Sequence, residues 1–129
     1  MVSVEGRKGT TTKAIGDAAE TRALAWLQVR GLTLVQRNYR IARGPHARGG
    51  EVDLILRDRD GTLVFVEVRA RRSADSGGAA ASIGAAKQRS IVFAAQHFVA
   101  RLAAPPPCRF DVIAIDGNDV AWLKGAFDA

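Results

Sequence analysis

Cysteine and long apolar runs are nearly absent from this sequence, and each absence excludes a class of protein. Cys108 is the single cysteine among 129 residues, which excludes an internal disulfide and a cysteine-based zinc site. Because it opens an apolar run, we expect a buried, inert thiol. No apolar run approaches the roughly 20 residues of a membrane-spanning helix. The polar, basic start MVSVEGRKGTTTK lacks the apolar centre of a signal peptide. We therefore expect a cytoplasmic protein with no membrane segment.

Lysine is also scarce, since it supplies only 4 of the 19 basic residues. Arginine supplies the rest, and with 13 acidic residues the net charge is +6. Guanidinium groups match phosphate oxygens in pairs, so an arginine-rich, basic domain favours a polyanionic partner. A GC-rich genome, which enriches arginine and alanine, explains the composition equally well. The length and the 47% apolar content indicate one ordinary folded domain.

The spacing of apolar residues predicts the elements of the fold. Helical spacing covers 12–30 and 85–102, and strand-like runs cover 32–41, the two halves of a hairpin at 50–72, 108–116 and 119–127. We expect residues 1–11 to form a flexible arm, 12–129 a single domain, and 42–50 and 71–84 flexible loops. A helix between the third and fourth strands permits a parallel crossover. The expected fold is α/β: a mixed central sheet of four to five strands flanked by helices, in the order α-β-β-β-α-β-β.

The hairpin GEVDLILRDRDGTLVFVEVRARR, residues 50–72, places acids where a sheet normally has apolar side chains. Because side chains alternate between the faces of a strand, Val52 and Leu54 should share one face and Asp53 should lie on the other. In the second half, the valines share an apolar face, and Glu67 and Arg69 lie opposite them. Whether the two acids meet depends on how the strands are paired.

The length of the hairpin loop decides that pairing. A three-residue loop at 59–61, with glycine in the left-handed position, would pair Asp58 with Thr62 and, by extension, Asp53 with Glu67. A two-residue loop would put the two acids on opposite faces. The apolar faces of the two strands also match in the three-residue register, which favours it.

Two carboxylates that face each other on a sheet repel unless something bridges them. A divalent cation does this well, because Mg²⁺ prefers one or two carboxylates together with water and phosphate oxygens. Arg69 would then stabilise charge on a transferring phosphoryl group. The alternative is a solvated sheet face whose acids form ordinary surface ion pairs with arginine. Spacing alone leaves both interpretations open.

Several motifs extend this pattern along the chain: GDAAETRALAWL, RNYR, GEVDLI, VFVEVRARR, Lys87 and RFDVIAI. In this order, from about Gly16 to Phe127, they resemble the YraN family of small bacterial proteins. That resemblance implies a restriction-endonuclease-like fold, similar to archaeal Holliday-junction resolvases and to the wider PD-(D/E)XK nucleases. It implies Mg²⁺ or Mn²⁺ as cofactor and DNA as partner, and it makes a homodimer a further expectation.

The resemblance also implies roles for individual residues. Asp53 and Glu67 match the two metal-binding acids, and the backbone carbonyl of Val68 is a further metal ligand. Glu20 matches the helix acid of the resolvase-like branch. It also lies on or beside the apolar face of its own helix, where a lone acid needs a reason. The alternative for Glu20 is a boundary residue paired with an arginine.

Arg69 departs from the family pattern, because it stands where the wider group has a lysine. An arginine cannot be deprotonated in a protein, so Arg69 can hold a phosphate but cannot act as a base. Lys87 is the candidate substitute, since it opens the second helix on the stripe that holds Ile91. The alternative for Lys87 is an ordinary surface lysine. The expected catalytic residues are therefore Asp53, Glu67, Arg69 and Lys87.

Arginines that flank the expected site are candidates for phosphate contacts that position DNA without reading its sequence. They are Arg37, Arg40, Arg48, Arg71 and Arg72. Asp111, an acid inside an apolar strand, is expected to pair with Arg109 or to support the site. The leading functional expectation is a metal-dependent nuclease acting on DNA. The alternatives are a non-catalytic nucleic-acid-binding module of the same fold and a subunit of a DNA-processing assembly.

Overall fold

The computed structural model describes residues 12–42, 44, 49–71 and 83–129. Its elements in chain order are α1 (Thr12–Val29), β1 (Thr33–Ile41), β2 (Gly50–Arg57), β3 (Leu63–Arg71), α2 (Ala85–Val99), β4 (Cys108–Asp116) and β5 (Asp119–Phe127). This order confirms the expected α-β-β-β-α-β-β arrangement. The proposed arm at 1–11 and most of the two expected loops lie outside the described residues. Neither described helix is long and apolar enough to cross a membrane.

The five strands form one mixed sheet whose spatial order equals the chain order, β1-β2-β3-β4-β5. Three neighbouring pairs are antiparallel, and β3 and β4 are parallel. Parallel neighbours need a crossover connection, and α2 lies in the segment that joins them. The mixed sheet expected from the sequence is therefore confirmed.

Each face of the sheet carries one apolar cluster and one helix. Ala23 and Leu27 of α1 pack with Leu54, Val64 and Ile113 on one face. On the other face, the side chains of α2 pack with the aromatic residues of the strands; the buried members include Tyr39, Phe65, Ile91, Phe98 and Phe110. Both faces of the central strands are covered, so a charged side chain there must find a partner inside the protein.

The hairpin has the three-residue loop that the sequence favours. The Asp58 amide donates to the Thr62 carbonyl at 2.9 Å, and the Gly61 amide donates to the Asp58 carbonyl at 3.0 Å. Gly61 takes the left-handed conformation with φ 91°. The ladder then runs from Arg57–Leu63 to Leu54–Val66. The ladder ends there, and the next residue along each strand is Asp53 on β2 and Glu67 on β3.

Two expectations about side-chain placement are wrong. Val52 does not share the face of Leu54, because Val52 packs with the α2 cluster and Leu54 with the α1 cluster. Cys108 is exposed rather than buried, because it is the first residue of β4 and precedes the covered part of that strand. The second helix also ends at Val99 instead of continuing to 102. There the Leu102 amide bonds to the Val99 carbonyl at 3.0 Å, a tighter turn than an α-helix makes.

Candidate functional site

Three carboxyl groups meet where the β2–β3 ladder ends. Asp53 lies between Glu20 of α1 and Glu67 of β3 and interacts with both carboxyl groups. The Val68 amide donates a 2.8 Å hydrogen bond to Asp53 Oδ2. That bond fixes Asp53 against β3 just beyond the last pair of the ladder, Leu54–Val66. We call Glu20, Asp53 and Glu67 the carboxyl cluster.

Burial dominates the electrostatics of the carboxyl cluster. Glu67 is only 3% exposed, and burial raises its pKa to about 8, with the Asp53 carboxylate adding to the rise and Lys87 and Arg69 opposing it. Burial also raises the pKa of Glu20, again with a contribution from Asp53, while Asn38 and Arg37 lower it. Oε1 of Glu20 and Oε1 of Glu67 are buried without a hydrogen-bond partner. The protein thus holds carboxyl oxygens in positions where a proton or a cation is favoured.

Two cationic side chains approach Glu67 from different elements. Arg69 Nη1 lies 3.5 Å from Glu67 Oε2, and Lys87 Nζ of α2 lies 3.8 Å from Glu67 Oε1. Lys87 Nζ is also 3.5 Å from Oε2 of Glu51. Of the two alternatives for Lys87, the structure therefore places its ammonium inward, at the carboxyl cluster.

The expected phosphate-binding arginines are divided by the structure. Arg37 turns inward, where Nη2 lies 3.6 Å from Glu20 Oε1, so it is a partner of the carboxyl cluster. Arg40 is on the outside, with a side chain 72% exposed and Nε 3.9 Å from Glu51 Oε1. Arg48 and Arg72 lie outside the described residues, and only the backbone of Arg71 is described.

The carboxyl cluster offers carboxylate oxygens, which are among the ligands that Mg²⁺ prefers. Within 12–42, 44, 49–71 and 83–129, no three His, Cys, Asp or Glu side chains are arranged to hold a metal ion. Mg²⁺ does not need three, because one or two carboxylates with water and phosphate oxygens suffice. The Asp53 and Glu67 carboxyls interact with each other, and Glu67 Oε1 has no hydrogen-bond partner, which fits that smaller requirement. The carbonyl of Val68 as a ligand stays a prediction.

Two hollows share Glu51 in their walls, and Glu20 of the carboxyl cluster lines one of them; together we call them the cleft. One hollow, of about 730 Å³, reaches from α1 to β2 and is lined by Lys13, Gly16, Asp17, Glu20, Asn38, Arg40 and Glu51. A second, of about 460 Å³, lies between β2 and the start of α2 and is lined by Gly49, Glu51, Ala86, Lys87, Arg89, Ser90 and Phe93. Four of these side chains are basic and border the cleft on both sides. They are Lys13, Arg40, Lys87 and Arg89.

The cleft residues that sequence reasoning missed include Lys13, Asn38, Glu51 and Arg89. Glu51 carried a usable signal, since it stands two positions before Asp53 and should share its side of the strand. Arg89 and Asn38 carried none, because a helix arginine and an asparagine near a strand arginine are unremarkable in isolation.

Asp111 does not belong to the carboxyl cluster. It is fully buried and accepts hydrogen bonds from Arg109 Nε at 2.9 Å, Trp122 Nε1 at 2.9 Å and the Gly125 amide at 2.9 Å. The expected pairing with Arg109 is thus confirmed. These donors all come from β4 and β5, so Asp111 stabilises the far side of the sheet.

Fold and site together define a small α/β domain whose mixed sheet carries a buried carboxyl cluster under a basic cleft. The chain belongs to the family described as uncharacterised protein family UPF0102, the YraN family, which matches residues 19–115. A UPF0102 protein of Methylibium petroleiphilum is 64% identical over 119 residues, covering 92% of this chain and 98% of its own. One from Acidovorax is 63% identical, covering 92% and 88%. One from Cupriavidus taiwanensis is 52% identical, covering 100% and 94%.

Proposed function

We propose that this protein is a metal-dependent nuclease that hydrolyses phosphodiester bonds in DNA. The observation that carries the proposal is the interaction of the half-buried Asp53 carboxyl with the buried Glu67 carboxyl, beside Arg69 and Lys87. Two interacting acids in a covered sheet are costly without a cation. Their position under an open basic cleft suits a reaction on a phosphate group.

Asp53 and Glu67 would hold Mg²⁺ or Mn²⁺, with Glu20 and the Val68 carbonyl as further expected ligands. A bound divalent cation lowers the pKa of its water and neutralises charge on the phosphate. The protein side chains divide the remaining work. Arg69 keeps its charge at all accessible pH values, so it binds a phosphate oxygen and stabilises developing charge.

Lys87 supplies what Arg69 lacks. Its ammonium lies within 4 Å of Glu67 and Glu51, so it is positioned at the cluster and can exchange a proton. Two residues from two elements thus take the place of the single lysine in the tripeptide of the wider nuclease group. We propose that Arg69 binds phosphate and that Lys87 orients the attacking water.

Charge around the cleft supports nucleic acid as the substrate. The side chains of Lys13 and Arg40 are 82% and 72% exposed, and Lys87 and Arg89 line the opposite side. Exposed cations on both sides of a cleft can grip a phosphate backbone and position it without reading bases. The net charge of +6 acts in the same direction.

Incubation with DNA tests the proposal directly. Four kinds of DNA are incubated with the protein in Mg²⁺, Mn²⁺ or EDTA: supercoiled, single-stranded, branched and damaged duplex DNA. The proteins are wild type, Asp53→Asn, Glu67→Gln and Asp128→Asn. We expect metal-dependent cleavage that both cluster variants abolish. Asp128→Asn removes an exposed acid near the C-terminal end, so it should leave the cleavage unchanged. Cleavage that survives both cluster variants, or no cleavage of any DNA, would contradict the proposal.

One observation favours a second function, a nucleic-acid-binding module without turnover. Arg69 replaces the lysine of the wider group, and the described residues contain no three-ligand metal arrangement. A binding module predicts DNA affinity that falls with salt, no cleavage with either metal, and no loss of affinity in Asp53→Asn. Removing the negative charge of Asp53 from beneath a DNA phosphate would instead raise the affinity for DNA slightly. The same incubation and a binding titration therefore separate the two functions.

A further inference from the structure

Asn38 has an unusual backbone conformation. Among the residues that the structure describes, it is the only non-glycine residue with a positive φ, at 50°. A side chain with a Cβ atom disfavours this left-handed region, although asparagine tolerates it better than most residues. Such conformations collect at functional sites, where the surroundings hold them in place. Asn38 is also in the middle of a strand, where no turn requires it.

The position of Asn38 in the sheet explains what the conformation does. The pairs Arg37–Leu54 and Tyr39–Val52 flank it, so Asn38 lies opposite Asp53. In a regular strand, residues two apart share a face. Here Arg37 points toward α1, where it meets Glu20, whereas the Tyr39 ring packs on Phe98 of α2, 5.3 Å between centroids.

The partner strand reverses at the same level. Leu54 belongs to the cluster under α1 and Val52 to the cluster under α2, although they too are two residues apart. Both strands therefore change face at the level of Asn38 and Asp53. As a result, Asp53 lies between the layers and interacts with Glu20 of α1 and Glu67 of β3.

The side chain of Asn38 acts on the carboxyl cluster as well. It interacts with the Glu20 carboxylate and lowers its pKa, and both residues line the same hollow. Glu20 Oε1 has no hydrogen-bond partner of its own. Without Asn38, the interaction with the like-charged Asp53 and the looser 3.6 Å contact with Arg37 would remain to orient this carboxylate.

We propose that Asn38 is a positioning residue: its left-handed backbone directs Asp53 between the two layers, and its amide holds the Glu20 carboxylate beside Asp53. The consequence of this positioning for metal binding rests on the nuclease function proposed above. The structural part of the proposal, the coupling of Asn38 to Glu20, does not rest on it.

The structural part can be tested without an activity assay. Urea unfolding at pH 7 in EDTA is measured for wild type, Asn38→Gly, Glu20→Gln and the double variant. Glycine keeps the backbone free at φ 50° and removes only the amide. Asn38→Gly should raise the equilibrium constant of unfolding in both backgrounds. We expect the factor in the wild-type background to be about five times the factor in the Glu20→Gln background, because coupled residues give non-additive effects. Equal effects in both backgrounds would overturn the contact.

A second pair separates backbone from amide. Asn38→Ala and Asn38→Gly both lose the amide, but only alanine opposes the left-handed conformation. We expect the unfolding constant of Asn38→Ala to exceed that of Asn38→Gly about tenfold. An alanine variant as stable as the glycine variant would refute the role of the backbone.

The functional part uses the Mn²⁺ concentration that gives half-maximal cleavage. We expect Asn38→Gly to raise it about tenfold or more, the range for residues that orient metal ligands, with the KM for DNA unchanged. An unchanged metal dependence with active protein would overturn this inference and leave the nuclease intact. If wild type cleaves no DNA with either metal, the nuclease proposal fails, and the unfolding cycle still decides whether Asn38 holds Glu20.

Discussion

Neutralising Glu67 should stabilise the metal-free protein at neutral pH. The pKa of Glu67 rises from its usual 4.5 to about 8, mainly through burial and then through Asp53. The folded state therefore binds this proton more tightly than the unfolded state does. The resulting stabilisation is complete below pH 4.5 and is lost as the pH rises through 8. Glu67→Gln removes the titration, and its amide group can donate to Asp53.

The size of the effect follows from the two pKa values. One pKa unit is worth about 1.4 kcal/mol. Between pH 4.5 and pH 7 the Glu67 carboxyl stays protonated in the folded state and ionises in the unfolded state. This interval spans about 2.5 pH units. The wild type should therefore lose on the order of 3 kcal/mol over this interval relative to Glu67→Gln. For a chain of this length that corresponds to a difference of about 10 °C in Tm.

Urea and thermal unfolding in EDTA, at half-unit steps from pH 4.5 to pH 8.5, measure this difference. Glu51→Gln is the matched control, because Glu51 contacts the same Lys87 ammonium but its side chain is 45% exposed. We expect the control to follow the wild-type pH profile and Glu67→Gln to be flatter. A Glu67→Gln profile parallel to wild type, or a variant less stable than wild type at pH 7, would refute the reasoning.

Two further predictions concern the division of labour at the site and the packing beneath it. Lys87→Met should lower kcat on a cleaved DNA at least 100-fold, and adding Arg69→Lys should restore most of it. No recovery in the double variant would show that position 69 cannot exchange the proton. Gly50→Ala should destabilise the fold by about 1–3 kcal/mol, because a Cβ atom there would lie 2.5 Å from the Ser90 carbonyl oxygen. Gly16→Ala, with open space around it, should instead stabilise α1 by about 0.5–1 kcal/mol. Urea unfolding compares the two signs, and equal signs would contradict the packing argument.

The hairpin was predictable because its determinants are local. A loop of three residues ending in Gly61 fixes the register, and that register carries the ladder to Leu54–Val66, next to Asp53 and Glu67. The strand at 108–116 was also predicted with its observed bounds, since an apolar run between prolines and a Gly-Asn turn leaves little choice. In both cases the information lies within a few residues of the feature.

The face reversal at Asn38 could not be predicted, because its cause is tertiary. An asparagine inside RNYR gives no sign of a positive φ, and regular alternation then misplaces Val52. Arg37 was expected to flank the site and contact phosphate, and nothing in the sequence indicated that it also faces Glu20. The network around Asp111 was only half predictable, because two of its donors, Trp122 and Gly125, come from β5.

The sheet order has a consequence for folding. Because the strands are arranged as they occur in the chain, each strand pairs with its sequence neighbour, and the connection between the parallel strands β3 and β4 runs through α2. Short connections close at a lower entropic cost than long ones, so we predict that the hairpin brings Asp53 and Glu67 together before α2 delivers the Lys87 ammonium. At that intermediate stage the two acids would repel each other. A proton or a divalent ion that reaches this intermediate would act as a folding catalyst before it could act in any reaction.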